Sequence, residues 1–111
     1  MKKSAPSISV RRSLAKFGED LRFARLRRGL PMTLVAQRAK ISLSTLRKIE
    51  NGNPGVSLGN YAAVMFALNL GTPFSDLVAP SKDEVGLQLD LENVPKRARK
   101  RVTVRVRVTS E

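Results

Sequence analysis

Apolar positions keep a three-and-four spacing along most of this chain and switch to a spacing of two near its end. Leu14, Phe17, Leu21 and Ala24 predict a first helix over Ser13–Arg28, with Ser13 as its cap and Gly29 as its stop. Val35, Ala36 and Ala39 predict a second, which breaks at Lys40–Ile41–Ser42. Leu46 and Ile49 then share one face of a third. Ser42 can accept a hydrogen bond from a free amide in its first turn, and Asn51–Gly52 ends it. Leu58, Tyr61, Ala62, Met65, Phe66 and Leu68 give a fourth helix, over Ser57–Leu70, an apolar face wide enough to be covered on more than one side. Tyr61, Met65 and Phe66 read as core, because no charged or metal-binding group accompanies them. After the break at Gly71–Thr72–Pro73, the segment Pro73–Val78 predicts one more short turn, with Phe74, Leu77 and Val78 as lids on the core.

From residue 85 the period changes. Val85, Leu87, Leu89 and Leu91 alternate with Gly86, Gln88 and Asp90, and Val102, Val104, Val106 and Val108 alternate strictly with Thr103, Arg105, Arg107 and Thr109. Each run predicts a strand with one buried face. A lone strand is not stable in water, so the valine strand needs a partner. Val85–Leu91 could supply it, or the same strand of a second subunit. Pairing across a two-fold axis is the preferred reading, which makes Val102, Val104, Val106 and Val108 a dimerisation strand.

The two helices on either side of Lys40–Ser42 cannot bury a core alone. As a helix-turn-helix, the second can lie in a DNA major groove with Leu43, Ser44, Arg47 and Lys48 outward. Charge sharpens this. The 111 residues carry +12, which calls for an anionic partner, since a compact fold gains nothing from self-repulsion. Residues 1–29 hold +7 and residues 96–111 hold +6, while 30–95 sum to −1; the basic residues Arg38, Lys40, Arg47 and Lys48 of that middle lie in the helix-turn-helix stretch. The expected organisation is a flexible basic arm (1–12), a DNA-binding domain (13–79) and a C-terminal β-containing dimerisation and partner extension (80–111). The chain has no cysteine or histidine, and Asp76, Asp83, Glu84, Asp90 and Glu92 show no spacing that converges on a metal. No enzyme, metal or cofactor is therefore expected. Met1–Lys3 is basic with no apolar run after it, and no stretch approaches a membrane span, so a soluble, cytoplasmic, nucleoid-associated bacterial protein is expected.

Residues 17–70 resemble the helix-turn-helix of the XRE family, which includes lambdoid-phage repressors and many antitoxins. Leu21–Arg22, Arg25, Ala36, Ser42, Leu46 and the ending Ile49–Glu50–Asn51–Gly52 carry the resemblance. The longer match, VSLGNYAAVMFALNL through DEVGLQLDLENVPKRAR, is similar to HipB-type antitoxin regulators encoded beside a HipA-type kinase toxin. Taken with the period-two runs, the resemblance implies a mostly α fold: a five-helix, lambda-repressor-like bundle with a C-terminal β extension. It also implies an ion pair between Arg25 and Glu50, tying the first helix to the end of the third. The expected partners are a palindromic DNA operator, a second copy, and a HipA-type kinase, with a small additional subunit in the split, three-gene form of such an operon. A stand-alone phage-like or metabolic repressor is the alternative. On DNA, Lys40, Ser42, Asn51 and Asn53 would contact phosphates, while Ser44, Arg47 and Lys48 meet base edges and Leu43 a thymine methyl. Three positions depart from the family: Pro31 and Met32 replace a capping hydroxyl and a phosphate-contacting glutamine, and Lys40 replaces the glycine of the turn.

Overall fold

The computed structural model describes residues 6–93. They form α1 (Ile8–Arg27), α2 (Met32–Ala39), α3 (Leu43–Glu50) and α4 (Leu58–Ala67), with short 3-10 turns at Pro73–Asp76 and Pro80–Lys82. Residues 84–93 are also helical and are called α5. The chain divides into two compact units after Pro73.

In the first unit α2 packs against α4 and α3, and α1 packs against α3. Leu46, Ile49, Leu68, Val35 and Val64 are its most deeply buried side chains. Each full burial of this kind contributes about 1.5–3 kcal/mol. Phe17 stacks on Tyr61, ring centroids 5.5 Å apart, joining α1 to α4. α1 and the end of α3 meet backbone to backbone. A Cβ on Gly18 would lie 2.5 Å from the Ile49 carbonyl oxygen, and one on Gly52 would overlap the Leu14 carbonyl. Only glycine permits that approach.

All four helices of this unit end in the same way. A left-handed residue follows the last turn: Gly29 (φ 64°), Lys40 (φ 60°), Gly52 (φ 70°) and Asn69 (φ 65°). The next amide then reaches back to a carbonyl near the helix end, Leu30 to Arg25, Ile41 to Ala36, Asn53 to Lys48 and Leu70 to Met65. This closure satisfies carbonyls that the helix leaves unpaired. Three helices also open alike, with Ser7, Ser42 and Ser57 accepting from amides of the first turn. The exception is α2, which opens at Pro31 with no side-chain cap.

Several expectations are corrected. The first helix starts at Ile8 under a Ser7 cap, not at Ser13, so residues 8–12 are helix rather than arm. Nearly all side chains of its first two turns are exposed, so no buried stripe marked it in the sequence. Leu77 and Val78, expected as lids on the core, are 61% and 79% exposed. Most clearly, Val85–Leu91 is helix and not a strand. Among the described residues no strand offers a ladder, whereas a helix satisfies its own backbone. Asp83 starts it, accepting the Gly86 amide at 3.0 Å through its side chain and the Leu87 amide at 2.9 Å through its carbonyl. A spacing of two on a helix throws Val85 and Leu89 to one side and Leu87 and Leu91 to the other. All four are exposed. The valine strand at 102–108 lies outside the described residues.

Candidate nucleic-acid interface

α3 is eight residues long and two-faced. Leu46 and Ile49 point into the core with no exposed surface. Ser44, Arg47, Lys48 and, at the helix end, Asn51 are exposed. Their spacing of three, four and seven puts them on one stripe, opposite the buried pair. Leu43 is half-buried at the flank. The stripe carries two cations, two neutral hydrogen-bonding side chains and no acid. That composition suits base edges and phosphates.

The stripe is held from both ends. At the N-terminus, Ser42 Oγ accepts the Thr45 amide at 3.0 Å and donates to Thr45 Oγ1 at 2.9 Å. Its hydroxyl proton is engaged inside the protein, so Ser42 positions α3. Thr45, its partner, was not singled out from the sequence. At the C-terminus, Arg25 Nε donates to Glu50 Oε2 at 2.7 Å, Nη2 to Glu50 Oε1 at 3.1 Å, and Nη1 to the Leu30 carbonyl at 3.0 Å. Both side chains of the pair are under a tenth exposed. The planar guanidinium thus satisfies a carboxylate and a loop carbonyl at once, fixing the end of α3 to α1 and to the entry of α2.

Beyond α3, Asn53 Oδ1 accepts the Gly55 amide at 2.6 Å, which turns the chain toward α4. The Asn53 carbonyl accepts the Tyr61 hydroxyl at 2.8 Å. Tyr61 is read as core from its spacing, and its role as an anchor of this loop carries no local signal. Burial pushes its phenol above the usual tyrosine range.

Lys40 is exposed, in the turn between α2 and α3, with φ 60° and ψ 44°. Arg38, in the last turn of α2, is exposed as well. The two cations precede α3, and Arg47 and Lys48 sit in its last turn. On α1, Arg22 borders a shallow concavity with Ala15, Glu19, Glu50 and Asn51, beside the C-terminal end of the stripe. Among the described residues no group of acidic side chains could hold a metal ion, and no helix is long and apolar enough to cross a membrane.

Comparison with protein families matches residues 16–73 to a helix-turn-helix domain. No curated protein and no solved structure matches the chain.

Proposed function

The chain belongs to the helix-turn-helix domain family, with residues 16–73 its domain, and from that premise we propose that it is a sequence-specific transcriptional repressor. The observation that carries this is the exposed stripe of α3, set opposite the buried Leu46 and Ile49. In this reading α3 enters the major groove. Arg47 and Lys48 meet guanine O6 and N7, the commonest specific contact, with Ser44 beside them and Leu43 against a thymine methyl. Lys40 and Asn51 contact phosphates, as does the amide group of Asn53, while Ser42 holds the helix.

The operator is palindromic and the protein acts on it as a dimer, its two α3 helices about 34–36 Å apart to match half-sites one turn apart. Repression is steric, by occupying a promoter.

The similarity of residues 56–70 and 83–99 to HipB-type regulators supports a narrower reading, in which the repressor also binds a HipA-type kinase toxin. Co-purification with a kinase encoded beside the gene tests that part.

DNA reading is tested with a duplex from upstream of the gene against a scrambled duplex, at about 50 and 200 mM salt. The native duplex should be preferred by about a thousandfold. Arg47→Ala should cost about 1–3 kcal/mol on the native duplex and little on the scrambled one. Equal binding of both duplexes, governed by salt alone, would leave a non-specific binder in place of a repressor.

A further inference from the structure

The helix-turn-helix domain begins at residue 16, yet α1 begins at Ile8. About two turns of helix are therefore added to the front of the domain. Packing does not account for them. Every side chain from Ile8 to Ser13 is exposed, and the first that is partly covered is Leu14. Helix chemistry does not account for their charge either. The first turn holds no acid, Arg11 and Arg12 follow it, and cations oppose the dipole at that end of a helix.

Their position does account for it. Arg11, Ala15 and Arg22 recur at intervals of four and seven, so they share one side of α1 over about three turns, roughly 16 Å. Ala15 lines two shallow concavities, one with Ile8, Arg11 and Arg12, the other with Glu19, Arg22, Glu50 and Asn51. Asn51 ends the exposed stripe of α3, so this side of α1 continues the DNA face past the end of the reading helix. Arg11, Arg12 and Arg22 form no ion pair among the described residues, which leaves their charge to an outside anion. Glu19 lies on the same line and separates its two cationic ends.

We propose that this side of α1 is a second DNA contact. Arg11 and Arg12 at one end and Arg22 at the other hold the sugar-phosphate backbone beside the groove that α3 enters. Each DNA strand carries a phosphate about every 3.4 Å along the axis, so a line of this length spans several. Phosphate contacts add affinity and fix the orientation of the domain, and they carry no sequence information. This contact rests on the DNA-binding reading of α3, and not on its sequence preference.

The test is fluorescence anisotropy of the full chain with the native and the scrambled duplex, between about 50 and 200 mM salt. Arg11→Ala with Arg12→Ala should weaken both duplexes alike. The slope of log affinity against log salt should fall by about two for each chain bound, and by about one in Arg22→Ala. Preference for the native duplex should stay within about twofold of wild type. Arg11→Lys with Arg12→Lys should keep the wild-type slope, because the count of neutralised phosphates is unchanged. Glu19→Gln should tighten both duplexes by at least about twofold. Arg27→Ala is the control, an exposed arginine about 140° round the helix from Arg22, and should leave the slope alone. A slope unchanged in the double alanine variant, or lowered as much by Arg27→Ala, overturns the proposal. So does a loss confined to the native duplex, which would make these arginines base readers. Equal binding of both duplexes by wild type removes the repressor reading, while the α1 contact still stands or falls on its own slopes.

Discussion

α2 and α3 have the same length and adjoin the same core, yet their ends are built by different means. α3 opens on Ser42, whose hydroxyl accepts the Thr45 amide, and closes on a left-handed Gly52. α1 and α4 keep to nearly the same chemistry, with Ser7 and Ser57 at their starts and Gly29 and Asn69 at their ends. α2 breaks it twice, opening on Pro31 and closing on a left-handed Lys40. An eight-residue helix is marginal alone, so α2 exists because Val35, Ala36 and Ala39 are buried against α3 and α4. Its neighbours impose its ends. Local rules are most often broken where a residue serves something other than stability. Here one of the two breaks places a cation in the turn that leads into the proposed reading helix.

The largest expected effect tests how α3 is fixed. Glu50→Ala leaves the Arg25 guanidinium buried without its carboxylate, and stability to urea should fall by about 3–5 kcal/mol. A combined Arg25→Met and Glu50→Leu change should recover most of that loss, because no charge is then stranded. A loss from Glu50→Ala well under 1 kcal/mol would mean that Gly52 alone secures the end of α3. Next comes the loop beyond it. Tyr61→Phe leaves the Asn53 carbonyl without its donor and should cost about 1–2 kcal/mol near neutral pH. The fold favours the protonated phenol, whose value is raised by burial. Its contribution is therefore complete below about pH 10 and is lost as pH rises through the raised value. Thermal unfolding of wild type should weaken along that alkaline limb, and Tyr61→Phe should flatten it. Parallel limbs in the two proteins would show that the phenol does not hold the loop.

The helix-turn-helix was legible in the sequence because each of its signals is local. Leu46 and Ile49 at three-residue spacing, Ser42 before them and Gly52 after them all describe one turn of chain or less. The Arg25 and Glu50 pairing was legible through a family resemblance, since a charge at the edge of an apolar stripe does not name its partner 25 residues away. The hydrogen bond from Tyr61 to Asn53 was not legible, because nothing local distinguishes a core tyrosine from one whose hydroxyl fixes a loop. α5 departs from the expected strand for a different reason. A spacing of two is a strand signal only where a ladder exists to receive it. The start signal that wins locally is Asp83 followed by Glu84, a capping side chain and an acid at the positive end of the helix. The sequence points to Ser13 as the start of α1 because the apolar stripe begins only at Leu14, and the exposed turns that follow the Ser7 cap carry no such stripe.

A smaller effect separates positioning from contact at the start of α3. Ser42→Ala removes the acceptor for the Thr45 amide and should lower stability by about 1 kcal/mol. Its hydroxyl already donates to Thr45, so the slope of DNA affinity against salt should not change. A slope shallower by about one unit would mean that Ser42 touches a phosphate after all.

The smallest effect carries the sharpest test of the comparison, because it should change sign between two readouts. Lys40 sits at φ 60°, where a side chain with a Cβ costs about 1–2 kcal/mol relative to ordinary helical backbone. Lys40→Gly relieves that strain but frees the unfolded chain, which returns about 0.5–1 kcal/mol to the unfolded state. The net gain in stability should be about 0.5–1 kcal/mol. DNA affinity should fall, with the salt slope smaller by about one phosphate contact, because the cation in the turn is gone. If stability and DNA affinity both rise, the lysine contributes nothing to binding, and the irregular end of α2 has no function behind it. If stability falls instead, the Lys40 side chain supports α2 through contacts of its own, and α2 is as locally specified as α3.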